Sequence, residues 1–128
     1  MEFNSSRPIY LQIADFICEK ILSDDWKDSD RIPSVRDLAI SIEVNPNTVM
    51  RTFTFLQEKG IISNQRGVGY FVAVNGRELA KVYKTDQFIK VDLDQIFRTM
   101  DLLGIEITDL EKFYLAYKRK LRGNNEAD

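Results

Sequence analysis

The sequence predicts a mostly α-helical chain carrying one small β-hairpin. Two observations carry this expectation. Apolar residues recur at helical spacing along most of the 128 residues. The period turns strand-like just after Gly60, where "IIS" and "YFVAV" flank the link "NQRGVG", and helical spacing returns from Gly76 onward.

The first helix is expected over "PIYLQIADFICEKIL", residues 8–22, with Pro8 in its first turn and Ile9, Ile13, Phe16, Ile17 and Ile21 forming one apolar stripe. The next segment, "SDDWKDSDR", is polar and turn-prone, and Trp26 within it reads as a plug over the helix end. In "PSVRDLAISI", Ser34 is a helix cap with Asp37 three places on, and Val35, Leu38, Ala39 and Ile42 bury one face, so Arg36 points away from it. "EVN" makes a short turn. Asn45 is then a cap and Pro46 the first residue of a third helix that runs to Lys59 and stops at Gly60.

Within that third helix Val49, Phe53 and Leu56 share the core face, while Asn47, Thr48 and Arg51 share another. Two helices joined by a tight turn, the second presenting polar residues at its start, form a helix-turn-helix. A hairpin directly behind it, with Gln65 and Arg66 at the tip and Gly67 and Gly69 allowing close bends, is a wing. Three further helices are expected, over "RELAKVYKTDQFI", "VDLDQIFRTMDLLG" and "TDLEKFYLAYKRKL", the last capped by Thr108. The tail "RGNNEAD" is expected to fray. The domains are thus an N-terminal winged helix-turn-helix over 1–75 and a short helical dimerisation region over 76–128.

Composition narrows the function. A chain that is 44% hydrophobic and 30% charged has enough apolar residues for a core. It has no histidine and one cysteine, Cys18, which excludes internal disulfides and thiolate metal cages and removes the commonest general base. Cys18 reads as core. There is no nucleophile motif or phosphate loop, so neither an enzyme nor a cofactor is expected. No signal-peptide layout and no membrane-length apolar run occur, so a cytoplasmic protein without a membrane partner is expected.

The net charge is −2, which by itself argues mildly against nucleic acid. The distribution argues the other way. Asp24, Asp25, Asp28 and Asp30 crowd one segment, whereas no acidic residue lies between Glu43 and Glu58. A surface entering a major groove must be small, hydrogen-bonding and free of acid, and Asn47 and Thr48 meet those needs. Arg51 suits either a bidentate pair with guanine or a phosphate clamp. Arg66, on a glycine-flanked tip, has the reach for a narrow minor groove. Ser34 and Asn45 are helix caps first, at helix starts that also favour phosphate.

The blocks "PIYLQI", "RIPSVRDLA", "VNPNTVMRTFTFLQEKGII" and "RGVGYFV" resemble, in order and spacing, the GntR family of bacterial transcription regulators. The resemblance covers about residues 7–74, and the short helical remainder resembles the YtrA-like branch. It implies contacts to operator DNA from Ser34 and Arg36 at the second helix, from Asn45, Asn47, Thr48 and Arg51 on the recognition helix, and from Arg66 and Gly67 at the wing tip. It also implies repression and binding as a homodimer to double-stranded DNA; a small-molecule effector is neither implied nor excluded. Two departures stand out. Positions near Asp25 and Ser29, usually glycine in the family, are replaced here, which implies a less tight loop; and "RTF" stands for "RAY" at residues 51–53. The rival reading is a winged helix that docks proteins without binding DNA.

Overall fold

The computed structural model describes residues 1–4 and 6–127. It consists of two compact units, Met1–Asp86 and Gln87–Asp128.

In the first unit, α1 (Ile9–Leu22), α2 (Val35–Ile42) and α3 (Pro46–Glu58) are followed by a hairpin of β1 (Ile62–Gln65) and β2 (Gly69–Val72), and then by α4 (Gly76–Gln87). The strands pair antiparallel with Ile62 opposite Val72 and Gln65 opposite Gly69. Ile13, Ile17 and Ile21 of α1, Leu38, Ala39 and Ile42 of α2, and Val49, Phe53 and Leu56 of α3 meet in one buried cluster with Ile61, Ile62 and Val72. The predicted stripes therefore pack on one another, with one exception. Ile9, in the first turn of α1, is 45% exposed.

The capping residues act as the sequence predicts. The Asp37 amide donates to Ser34 Oγ at 3.1 Å, and the Asn47 amide donates to Asn45 Oδ1 at 2.8 Å. Gly60 ends α3 with a φ of +75°. Ser34 and Asn45 each satisfy a donor that the first turn leaves free, which is worth about 1 kcal/mol.

The acidic segment after α1 does more than turn. Ser29 N donates to the Val72 carbonyl at 3.0 Å, Val72 N to Asp30 O at 2.8 Å, and Ile32 N to Tyr70 O at 3.0 Å. Residues 29–32 thus lie along β2 as a third edge of the wing, with Arg31 opposite Phe71. Trp26 packs edge-on to Phe16, centroids 6.5 Å apart, over the end of α1. Asp24 and Ser29 keep positive φ values of 65° and 69°. The loop has therefore not relaxed where glycines were replaced; the left-handed conformation is retained by L-residues at a local cost. Replacing Ser29 with glycine is expected to raise stability by up to about 1 kcal/mol, read as a higher midpoint in urea, since relief of the left-handed penalty outweighs the extra freedom of the unfolded chain.

The first unit runs past the expected boundary at residue 75. Ala80 of α4 is fully buried in the core cluster, and Leu79 and Tyr83 pack against it. Arg77 fastens the start of α4 to the acidic loop. Its backbone N–H donates to Asp28 Oδ1 at 2.9 Å, its Nε to Asp24 Oδ1 at 3.2 Å, and its Nη2 to the Leu22 carbonyl at 3.1 Å. Gly76 has no room for a side chain, since a Cβ there would lie 2.6 Å from the Ile61 carbonyl oxygen and 2.5 Å from Val72. Asp15 binds Arg7 on one side and Lys84 of α4 on the other. Cys18 is buried in the core, and burial pushes its thiol up to about 12, so it stays protonated at neutral pH.

The second unit contains a π-helical turn (Phe88–Asp92), α5 (Leu93–Leu103) and α6 (Ile107–Ala127). Gly104 closes α5 in the left-handed conformation. α6 starts one residue before the expected cap Thr108. Its first turn is closed by Asp109, which accepts from the Glu106 amide at 3.0 Å. The helix also continues to Ala127, through most of the tail expected to fray. Apolar residues abound here but few are covered. Met100 is the one hydrophobic side chain that is buried among the described residues of this unit, while Leu102, Leu103, Ile107, Phe113, Tyr114 and Tyr117 are all more than half exposed.

Candidate nucleic-acid interface

α3 is amphipathic in a particular way. Val49, Thr52, Phe53 and Leu56 are buried, and Asn47, Met50, Arg51 and Thr54 are exposed on the opposite side. No acidic residue occurs in its first turn, so the positive end of the helix dipole is not offset there. Thr52 stands where the family pattern has alanine, and its buried hydroxyl is satisfied: its one hydrogen is aimed at the Tyr10 carbonyl at 2.7 Å, with the Thr48 carbonyl a second, longer acceptor at 3.2 Å. This bond ties α3 to the first turn of α1.

The predicted residues are not equivalent once placed. Asn47 is exposed, whereas Thr48 is half-buried and only partly reachable. Ser34 and Asn45 are exposed, but each side-chain oxygen already serves its own helix start. Arg36 is exposed on the first turn of α2. Arg51 is exposed and lies over the ring of Tyr10 with its guanidinium carbon 3.9 Å from the ring centroid. That stacking leaves the edge of the guanidinium free to donate while limiting its rotamers.

At the wing, Arg66 and Gly67 form the tip. Val68 N donates to the Gln65 carbonyl at 2.9 Å, and Gly67 sits at the third place of this turn with φ +76°. A positive φ at that place is what a type II turn requires. Nothing lies within 4 Å of where a Gly67 Cβ would stand, so the tip is open on that side.

Two residues join this surface that the sequence did not single out. Arg31 lies beside Gly69, where an added Cβ would come within 2.9 Å of its Nε, and so belongs to the base of the wing. Met50 is 44% exposed on α3 and receives the Tyr70 hydroxyl at 3.9 Å to its sulfur. Arg31 was hidden in a segment read as a turn, and Met50 by being apolar on a polar face.

Ion pairing separates the arginines of this surface from Arg7 and Arg77, although among the described residues the exposed Lys27, Lys59 and Lys81 of the first unit have no ion pair either. Arg7, Lys20, Arg77 and Lys84 each pair with an aspartate. Among the described residues, Arg31, Arg36, Arg51 and Arg66 have no ion pair. Also among the described residues, no group of three or more potential ligands could hold a metal ion, and no helix is long and apolar enough to cross a membrane.

Comparison with known proteins agrees with this geometry. The chain is 38% identical over 104 residues to the uncharacterized HTH-type transcriptional regulator YhcF of Bacillus subtilis, an overlap of 81% of this chain and 84% of that one. It is 33% identical to the HTH-type transcriptional repressor YtrA of the same organism over 124 residues, 97% of this chain and 95% of the relative. A GntR-family structure from Bacteroides thetaiotaomicron superposes with a TM-score of 0.71 at 41% identity, covering 89% of this chain and 99% of that one. A GntR family transcriptional regulator from Listeria monocytogenes gives 0.70 at 30% identity, over 92% and 98%. Proteins of this kind are regulators and not enzymes. With residues 9–72 matching the family described as bacterial regulatory proteins, gntR family, the chain belongs to the GntR family of DNA-binding transcription regulators.

Proposed function

We propose that this regulator is a cytoplasmic repressor that binds a palindromic operator as a homodimer, with α3 in the major groove and the wing tip in the adjacent minor groove. The observation that carries the reading is the set of arginines without an ion pair, Arg36 on the first turn of α2, Arg51 on the outward face of α3 and Arg66 at the tip of the hairpin, whereas Arg7 and Arg77 of the same unit are held by aspartates. Phosphates are the counter-charge that such a surface lacks. Asn47 and Arg51 then read base edges or clamp the rails beside them, with Ser34, Asn45 and Thr48 lending helix-start polarity, and Arg66 and Gly67 enter the minor groove.

The repressor assignment follows the name of the YtrA relative, which matches almost end to end. The homodimer reading is supported by the second unit, 87–128, within the expected dimerisation region 76–128: Leu102, Leu103, Ile107, Phe113, Tyr114 and Tyr117 are more than half exposed there, the kind of apolar surface that a second copy can cover. One winged unit also makes few contacts, and pairing two half-sites about one helical turn apart is the usual remedy.

Selection of bound duplexes from a random pool tests the reading directly, since it returns half-site, spacing and symmetry together. On the selected operator, affinity is expected to fall linearly in log–log form with salt, by about 0.9 per phosphate neutralised. Arg51→Ala is expected to weaken specific binding roughly 10- to 100-fold and relax sequence preference if it holds a base, whereas Arg66→Ala, if its contact is a phosphate, weakens all sequences evenly and reduces the slope by about one. A protein-docking module would return no preferred sequence and no such slope.

A further inference from the structure

We propose that Met50 reads a thymine through its C5-methyl group and that Tyr70 holds it in position to do so. The inference rests on the DNA reading above and adds to it a residue that sets sequence preference.

Met50 lies on the outward side of α3 with the polar residues Asn47, Arg51 and Thr54. An exposed, unbranched thioether with three rotatable bonds is ordinarily mobile. Here it is held. The Tyr70 hydroxyl donates to Met50 Sδ at 3.9 Å, and the Tyr70 ring stands edge-on to Phe53 with centroids 4.7 Å apart and planes at 76°. Phe53 is fully buried. A chain of contacts thus runs from the core, through the wing strand, to the tip of an apolar side chain on the groove-facing surface. Ordering that side chain before binding removes the entropy loss that would otherwise offset its contact.

The chemistry that matches it is limited. In the major groove the one methyl group a base pair presents is the C5-methyl of thymine; cytosine offers only the smaller C5–H there, and the other edge groups are donors or acceptors. Met50 offers no hydrogen to donate, and its sulfur is a weak acceptor already engaged by Tyr70. Seated opposite a guanine or cytosine edge, it would leave polar atoms without partners, which disfavours those bases. Its neighbours Asn47 and Arg51 supply hydrogen bonds to adjoining positions, so the helix alternates polar and apolar readers.

The test uses the operator recovered from the random pool, with each thymine replaced singly by uracil, which lacks only the methyl. For the wild-type chain, one thymine in each half-site is expected to lose about fourfold in affinity on replacement, the effect of one methyl group's burial. Met50→Ala is expected to bind the thymine duplex more weakly and to bind thymine and uracil duplexes alike. Tyr70→Phe removes only the hydroxyl and is expected to shrink the thymine-to-uracil ratio while leaving other positions unchanged. Absence of any uracil-sensitive thymine, or a ratio that survives in Met50→Ala, overturns the proposal while leaving the DNA reading intact. A pool that yields no preferred sequence overturns both. Met50 is 44% exposed, so its replacement is not expected to unfold the chain, and circular dichroism of each variant checks this.

Discussion

Replacing Phe53 with alanine is expected to lower the stability of the winged unit by about 3–5 kcal/mol, read as a drop in the urea midpoint at unchanged slope. The ring is fully buried, in the cluster where α1, α2, α3 and the wing strands converge. Its removal forfeits the transfer energy of a phenyl group and leaves a cavity that three helices and a hairpin cannot collapse into without losing contacts of their own. A domain of this size is stable by only about 5–15 kcal/mol, so a large part of the native population is at stake at growth temperature. The loss also propagates. Tyr70 leans edge-on against Phe53 at 4.7 Å, and Tyr70 anchors the wing strand and Met50. DNA binding by the surviving folded fraction should therefore be impaired as well, which a surface substitution such as Arg66→Ala, expected to change stability by less than about 0.5 kcal/mol, would not mimic in the urea melt. A loss below about 1 kcal/mol for Phe53→Ala would mean that α3 is not packed as described.

Much of this was legible in the order of residues. Helices α2 and α3 announce themselves by their caps, Ser34 and Asn45, and by apolar positions at helical spacing; Gly60 and Gly67 mark places that need a positive φ. The exposure of Arg36 and Arg51 was legible because the apolar stripes of α2 and α3 leave those two positions on the outward face. What escaped has physical causes. The edge formed by residues 29–32 pairs through its backbone, so its polar side chains carry no alternating signal, and Arg31 was lost with it. Periodicity identifies an apolar face but not its partner. Ala80 was drawn into the first unit by contacts at a distance in sequence, and the stripe of Ile96, Phe97, Met100 and Leu103 is covered only in part, with Met100 buried and Leu103 68% exposed. Met50 escaped because an apolar residue on an outward face fits neither the core nor the polar pattern, and only its contact with Tyr70 gives it a place.

The uncovered part of that stripe sets up the second large effect. Leu103→Asp is expected to convert a dimer into a monomer and to weaken binding to a two-half-site operator by about 100- to 10,000-fold, while binding to a duplex carrying one half-site stays unchanged. Leu103 is 68% exposed at the end of α5, and Leu102 beside it is 77% exposed. Burying such a side chain against a second copy contributes about 1.5–3 kcal/mol, and a carboxylate placed in the same apolar seam must be desolvated with no partner charge. A stable interface needs about 800 Å² from each partner, and the exposed apolar side chains of α5 and α6 are the part of the chain suited to provide it. Once two winged units are joined, the second half-site is engaged as an intramolecular event, so most of the affinity for the full operator resides in the linkage and not in any base contact. Sedimentation equilibrium separates the outcomes: the wild-type chain should weigh twice 14.9 kDa, and the variant 14.9 kDa. If the wild type sediments as a single chain at concentrations where it fills the operator, the two half-sites are not joined through this face and the homodimer proposal fails.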